Sequence, residues 1–256
     1  MISKDEVLSH FLKDDKPFAV NLYEKYKLAY EKDIPVFGND FYPPNVWSYF
    51  QSNMSSKEFL VQTFGLFDDA ERRMISFNNK YNEEAEISCI KISNKSKFRK
   101  VNHRDYLGSI LSLGIKRNKI GDLIVDNDKC YVAVSIEIRD YIINNLEMVA
   151  NCPCKVEIVD DISSLPKVEF LKEVILVPKL RLDAIVSKIS KISRAKASEI
   201  IDKGLVLLDY SKVCDKSKEV KKNQRITIRG TGKFILGDIV GNSKSGKYKV
   251  IIKKYT

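Results

Sequence analysis

Histidine is nearly absent: His10 and His103 are the only two in 256 residues. Imidazole titrates near neutrality and supplies many acid–base and zinc sites, so two distant copies leave little room for either. The first 179 residues also lack a G-x-G-x-x-G turn and a P-loop, the glycine-rich cradles that hold nucleotide phosphates. Long apolar runs are missing. No stretch approaches the ~18 consecutive apolar residues needed to cross a bilayer. Met1 to Lys13 holds Asp5 and Glu6 and no apolar run, which argues against a signal peptide. The five cysteines (Cys89, Cys130, Cys152, Cys154, Cys214) are odd in number and scattered, as reduced thiols are. Cys152-Pro153-Cys154 has no second pair and no neighbouring histidine, so it reads as a plain turn rather than half a metal site. These absences predict a cytoplasmic, membrane-free protein that needs no cofactor or metal and is not an enzyme.

What is present is positive charge, unevenly placed. Residues 180–256 hold 19 Lys and Arg against 7 Asp and Glu, a balance of +12, while residues 1–179 hold 25 against 27, a balance of −2. A field of one sign confined to one segment is the footprint of a module for a polyanion.

The chain is long enough for two or three domains, and its apolar spacing suggests three regions in an α+β protein. Residues 1–75 read as a helical N-terminal region. Val7, Leu8, Phe11 and Leu12 recur at helical spacing, as do Phe18, Leu22, Tyr26 and Ala29. Pro35, Gly38 and Pro43-Pro44 then break the pattern. A short helix is expected over Asn45–Phe50, a strand over Glu58–Phe64 and a helical turn over Asp68–Arg73. Residues 76–165 give strand, helix, strand, strand, helix, strand. The middle strands meet at Asp126-Asn127-Asp128, and Ser135 is placed to cap the second helix. That order is the split ferredoxin-like one that RNA-recognition motifs share. Residues 160–178 read as a linker with one strand at Glu173–Val177, ahead of a third region at 178–256.

The third region carries the chemistry. Leu182, Ile185, Val186 and Ile189 form one apolar stripe. Arg181 and Lys188, seven residues apart, fall within ~20° of each other on the helix wheel and should flank that stripe in solvent. Ser193 is placed to cap a second helix through the Lys196 amide, and Gly204 to end it. The start of that helix would offer free amides, the positive end of its dipole, Arg194 and Lys196 to a phosphate. Arg181, Lys188, Ser193, Arg194, Lys196 and Lys203 are therefore the candidate RNA-binding residues. A second basic group (Lys97, Arg99, Lys100, Arg104, Lys116, Arg117 and Lys119) is a candidate second contact. Tyr131 is the lone aromatic on the presumed third strand of the middle domain, where such sheets stack bases on two or three, so backbone and shape recognition are expected.

Arg181-Leu182-Asp183, Ser193 to Ala197 and Ile200 to Val206 resemble the S4 RNA-binding domain, a module of two helices with a small antiparallel sheet. Asp209-Tyr210 stand where that family often has Asn-Gly, and Asn223-Gln224 where it often has Gly-Asp. Further signatures narrow the resemblance: Asp69-Ala70-Glu71-Arg72-Arg73, then Leu107 to Leu111 with Leu113 to Asp122. Arg229-Gly230-Thr231-Gly232-Lys233-Phe234 adds a third, with Lys233 for the usual arginine. Together they resemble the bacterial YlmH family. The resemblance implies a helical N-terminal region, a middle domain like an RNA-recognition motif and a C-terminal S4 domain. It also implies association with large-subunit ribosomal RNA and tRNA, and a part in ribosome-associated quality control beside an RqcH-type factor that tails stalled chains with alanine. The family has also been linked to cell division. A monomer is expected.

The S4 module also rides on pseudouridine synthases, tyrosyl-tRNA synthetases and hemolysin-type methyltransferases. The alternative is therefore an RNA-modifying or tRNA-charging enzyme anchored by it. Those enzymes need a catalytic aspartate in an Arg-x-Asp context, a nucleotide-binding domain or a glycine-rich cofactor loop. Arg104-Asp105 and Arg139-Asp140 read instead as ordinary helix charges.

Overall fold

A computed structural model describes residues 2–67, 70–96, 100–166 and 170–255, apart from the side chains of Ser164 and Tyr255. The chain divides into two compact units, residues 1–166 and 167–256.

The first unit opens with helices α1 (Lys4–Ser9) and α2 (Lys16–Lys32), followed by strand β1 (Val36–Tyr42), helix α3 (Pro44–Met54) and strands β2 (Val61–Phe64) and β3 (Arg73–Phe77). To the helices expected here the structure adds an antiparallel sheet in the order β1-β3-β2. The residues that read as breaks bound β1 or fit it. Gly38 lies where a Cβ would come within 2.8 Å of the Tyr42 ring. Pro43 and Pro44 open α3, where a missing amide costs nothing. Of the turn expected over Asp68–Arg73, Asp68 and Asp69 lie outside the described residues, and Arg73 begins β3 instead. Leu22 and Tyr26 of α2 and Phe50 of α3 bury against Phe77 and Ile75 of the sheet.

The rest of this unit is β4 (Ile87–Asn94), α4 (His103–Leu111), β5 (Ile120–Asp126), β6 (Lys129–Ser135), α5 (Ile136–Asn145), β7 (Met148–Val149) and β8 (Cys152–Val159). The strand order β5-β6-β4-β8-β7 is the ferredoxin-like arrangement with a short added edge. Ile90, Ile92, Val132 and Val134 pack beneath Tyr106 and Ile110 of α4 and Ile142 of α5. Asn102 and Asp105 close a capping box on α4. Asn127 turns the hairpin at a φ of 51°. Two expectations change. Ser135 makes no side-chain cap; the Ile136 amide donates to the Glu86 carbonyl instead. Cys152-Pro153-Cys154 is not a turn but the start of β8, paired with Met148 and Val149.

The second unit is one six-stranded antiparallel sheet with two helices on one face. Its elements are β9 (Phe170–Val177), α6 (Leu182–Ile189), α7 (Arg194–Asp202), β10 (Val206–Leu208), β11 (Ser211–Lys212), β12 (Arg225–Ile228), β13 (Gly232–Asn242) and β14 (Tyr248–Tyr255). The order is β11-β10-β12-β13-β14-β9. The strand expected at Glu173–Val177 starts earlier and pairs with β14 from Phe170 to Val177. Ile185, Val186, Ala197 and Ile201 seat the helices on Val206, Ile226, Phe234, Leu236 and Val250. Asp209 and Tyr210, both at positive φ, form the two-residue β10–β11 turn. The Asp209 carboxylate accepts from Gln224 Nε2 at 2.6 Å and the Arg225 amide at 2.8 Å, which links the two places where the S4 pattern is altered.

Candidate nucleic-acid interface

Asp183 organises the helical hairpin of the second unit. It sits in the first turn of α6, and only 5% of its surface is exposed. A carboxylate buried to that degree needs charged partners. It receives Arg181 through Nε at 3.2 Å and Nη2 at 3.1 Å, and Arg194 Nη2 at 2.6 Å. Burial pushes the Asp183 pKa up, but the two guanidinium groups outweigh it and hold the carboxyl below the usual range. Arg181 was expected to project into solvent, and Arg194 to be offered to a phosphate at the start of the second helix. Both instead fold onto this carboxylate, which ties the start of α6 to the start of α7. About half of the Arg194 side-chain surface stays exposed, and a guanidinium has five donors, so each pairing leaves donors for an outside anion.

The two helix starts differ. At α6 the backbone donors are taken: Leu182 donates to the Lys218 carbonyl, Asp183 to the Lys216 carbonyl and Ala184 to the Asp183 side chain. At α7 the Ser193 hydroxyl accepts from the Lys196 amide at 3.2 Å, as expected, and Ser193, Arg194, Ala195 and Lys196 are all exposed. The positive end of a nine-residue helix therefore faces solvent beside Arg194. Lys196 pairs with Glu199 at 2.9 Å. Lys188 is exposed on the last turn of α6. Lys203 lies at the far end of α7, about 15 Å along the axis from Ser193. The helix ends there in a Schellman turn at Gly204, φ 66°. The turn after α6 has the same form but puts Lys191 at φ 54°, with the Ile192 amide on the Ser187 carbonyl at 3.0 Å. Sequence reading missed both Asp183 and Lys191. The only available signal was position: Asp183 stands one turn before Val186, on the edge of the apolar stripe.

The second basic group is arranged differently. Lys97 and Arg99 lie outside the described residues. Lys100, Arg104 and Lys116 are exposed. Arg117 turns inward and donates to the carbonyls of Ile120 and Gly121, and burial lowers its pKa to about 10. Lys119 is held by Asp40 at 2.8 Å and Glu137 at 2.5 Å. Asp122 accepts from the amides of Glu71 at 2.6 Å and Arg72 at 3.2 Å, so two of the recognised sequence signatures touch each other. The helix-free face of the middle sheet is partly covered. Phe41 and Met74 of the N-terminal sheet pack on Ala133, and a Cβ at Gly121 would come within 2.7 Å of the Phe41 ring. Beyond that cover Tyr131 lies opposite Lys91, whose ammonium pairs with Glu157 at 3.1 Å.

Residues 81–161 match the family model described as "Putative RNA-binding domain in YlmH", and residues 180–226 match the S4 domain. The first of these matches makes the middle of the chain similar to the RNA-binding domain of YlmH proteins. It is 26% identical over 255 residues to the Ribosome-associated protein quality control protein P2 of Bacillus subtilis (strain 168), covering 97% of this chain and 98% of that one. A solved structure, the Cell division protein ylmH from Streptococcus pneumoniae, shares the fold at a TM-score of 0.51 and 20% identity. The match covers 61% of this chain and 98% of that one. Among the described residues no group of three or more His, Cys, Asp or Glu is placed to hold a metal, and no helix is long and apolar enough to cross a membrane.

Proposed function

We propose that this chain is a non-enzymatic, cytoplasmic RNA-binding factor. It associates with large-subunit ribosomal RNA and tRNA and acts in ribosome-associated quality control beside an RqcH-type partner. The observation that carries this reading is the α7 start. An open helix N-terminus, Arg194 fixed by Asp183, Lys196 and nearby Lys188 stand in the segment that holds the whole positive balance of the chain. A phosphate there meets backbone amides and guanidinium donors together. Asp183 pre-orders the two arginines, which lowers the conformational entropy lost on binding. The name of the Bacillus subtilis relative supports the ribosomal setting. Recognition of backbone rather than bases fits a middle sheet whose helix-free face is partly covered and offers Tyr131 as its one aromatic.

The test compares residues 167–256, which have their own core, with residues 1–166. The C-terminal fragment should bind structured RNA with a log K versus log[salt] slope of roughly −3 to −5, from about four to six neutralised phosphates. The other fragment should bind far more weakly. Equal affinity of the two would sink the assignment. A reproducible nucleotide modification made by the full chain and abolished by His103→Ala or Asp105→Ala would favour the enzyme alternative.

A further inference from the structure

We infer that the helix-free face of the C-terminal sheet is a second surface for the phosphate backbone of RNA, distinct from the α6–α7 start; the inference rests on the RNA-binding reading above. Directly opposed residues of an antiparallel pair share a face. The register places Lys253 opposite Lys172 and Ile235, and Ile235 opposite Arg225. Lys233 and Lys249 stand at even spacing from these residues, on the same side. Ile252, Val250 and Leu236, at the intervening positions, face the buried helices. Five cations thus share one face of β9, β14, β13 and β12. Across four strands and along five residues of β14 they cover about 14 Å in each direction. That spread suits a repeating polyanion rather than a single phosphate.

Two further features point to a ligand. Lys172 and Lys253 are like charges placed directly opposite, an arrangement that costs a sheet stability unless something neutralises it. Three other lysines of this unit have carboxylate partners, Lys196 with Glu199, Lys216 with Asp202 and Lys222 with Asp238, whereas Lys253 sits over the Phe170 ring. Among the described residues no carboxylate pairs with Lys172, Lys249 or Lys253. In addition, the aliphatic side chains beside these lysines are open, with Val174 57% and Leu176 41% exposed. Phosphates on the ammonium groups, with sugar edges on the aliphatic patch, would satisfy both features.

The experiment measures binding of a fluorescein-labelled RNA hairpin to the full chain over a range of salt. A Lys172→Gln/Lys249→Gln/Lys253→Gln variant should lose about tenfold or more in affinity and flatten the salt slope by about 2 to 3. Its thermal midpoint should be unchanged or higher, because the opposed lysines are gone. A Lys188→Gln/Lys196→Gln variant should lose affinity independently, so that the two effects multiply. Hairpin protection of Lys172, Lys249 and Lys253 from acetylation in the unmodified chain reads the same surface without any substitution. Parent-like affinity and slope in the triple variant, with loss only in the helix variant, would overturn this inference and leave the proposed function standing. Parent-like behaviour of both variants would overturn both. An equal loss of affinity for poly-L-glutamate would make the face a general acceptor of acidic chains and overturn the RNA assignment.

Discussion

Lys116-Arg117-Asn118-Lys119 and Arg194-Ala195-Lys196 look alike in the sequence and behave oppositely in the fold. In the first segment the acids that receive Lys119 come from afar, Asp40 on β1 and Glu137 on α5, and the Arg117 guanidinium closes on the carbonyls of Ile120 and Gly121. The charge there binds the protein to itself. In the second segment the acid is Asp183, eleven residues away, and it orients Arg194 without covering it. Basic residues therefore mark an interface only where the fold leaves donors facing out. A sequence shows the charges but not the distant carboxylates that cancel them.

The contrast predicts its own largest effect. Arg117→Ala would leave the carbonyls of two buried residues, Ile120 and Gly121, short of a charged donor. It should cost about 2–3 kcal/mol of stability by denaturant unfolding and leave the salt slope of RNA binding unchanged. A variant as stable as the parent but weaker on RNA would reverse the roles of the two segments.

Arg194→Ala should act on both quantities. It removes a phosphate donor and leaves buried Asp183 with Arg181 alone, so affinity should fall by roughly 1–2 kcal/mol and stability by about 1 kcal/mol. Lys196→Ala touches only exposed Glu199 and should lower affinity with little change in unfolding. If Lys196→Ala destabilises as much as Arg194→Ala, the division between an arginine held by a buried acid and a lysine paired only with an exposed one is wrong.

Much of this was legible beforehand, and the illegible parts share a cause. The middle-domain order, the Ser193 cap and the Gly204 stop follow from spacing and local chemistry, which a sequence carries within a few residues. Strand β1 was hidden because Gly38 looks like a break, when it is the position that leaves room for the ring of Tyr42, four residues on in the same strand. The inward turn of Lys119 depends on Asp40, 79 positions away. Asp183 was visible as part of Arg-Leu-Asp, yet its burial follows only once α7 packs beside α6. Local rules locate elements, whereas pairings between elements decide which charges remain available.

Acid should weaken the second unit through the same carboxylate. The folded Asp183 pKa lies below its unfolded value, so its contribution to stability is fully present above that unfolded value, about pH 4. It drains away as pH falls through the folded value. Asp183→Asn in residues 167–256 should lower the thermal midpoint by a constant amount above about pH 5, and the gap to the parent should narrow on further acidification. A gap that widens in acid would mean that Asp183 is held protonated, and the arginine clamp would be misassigned.

The smallest effect tests whether the interface extends to the turn between the helices. Gly204 ends α7 at φ 66°, as left-handed backbone favours, while Lys191 holds the same conformation after α6 at φ 54°. A side chain there costs about 1 kcal/mol relative to glycine, because its Cβ crowds the following carbonyl. Lys191 is exposed and two residues before Ser193, so its ammonium adds to the field at the α7 start. Strained backbone of this kind tends to persist where the side chain has a use. Lys191→Gly should therefore raise stability by about 0.5–1 kcal/mol and at the same time flatten the salt slope of RNA binding by about 1. Opposite movement of the two readouts is the decisive result. A more stable variant that keeps the full slope would make Lys191 a spectator and confine the interface to the helices themselves.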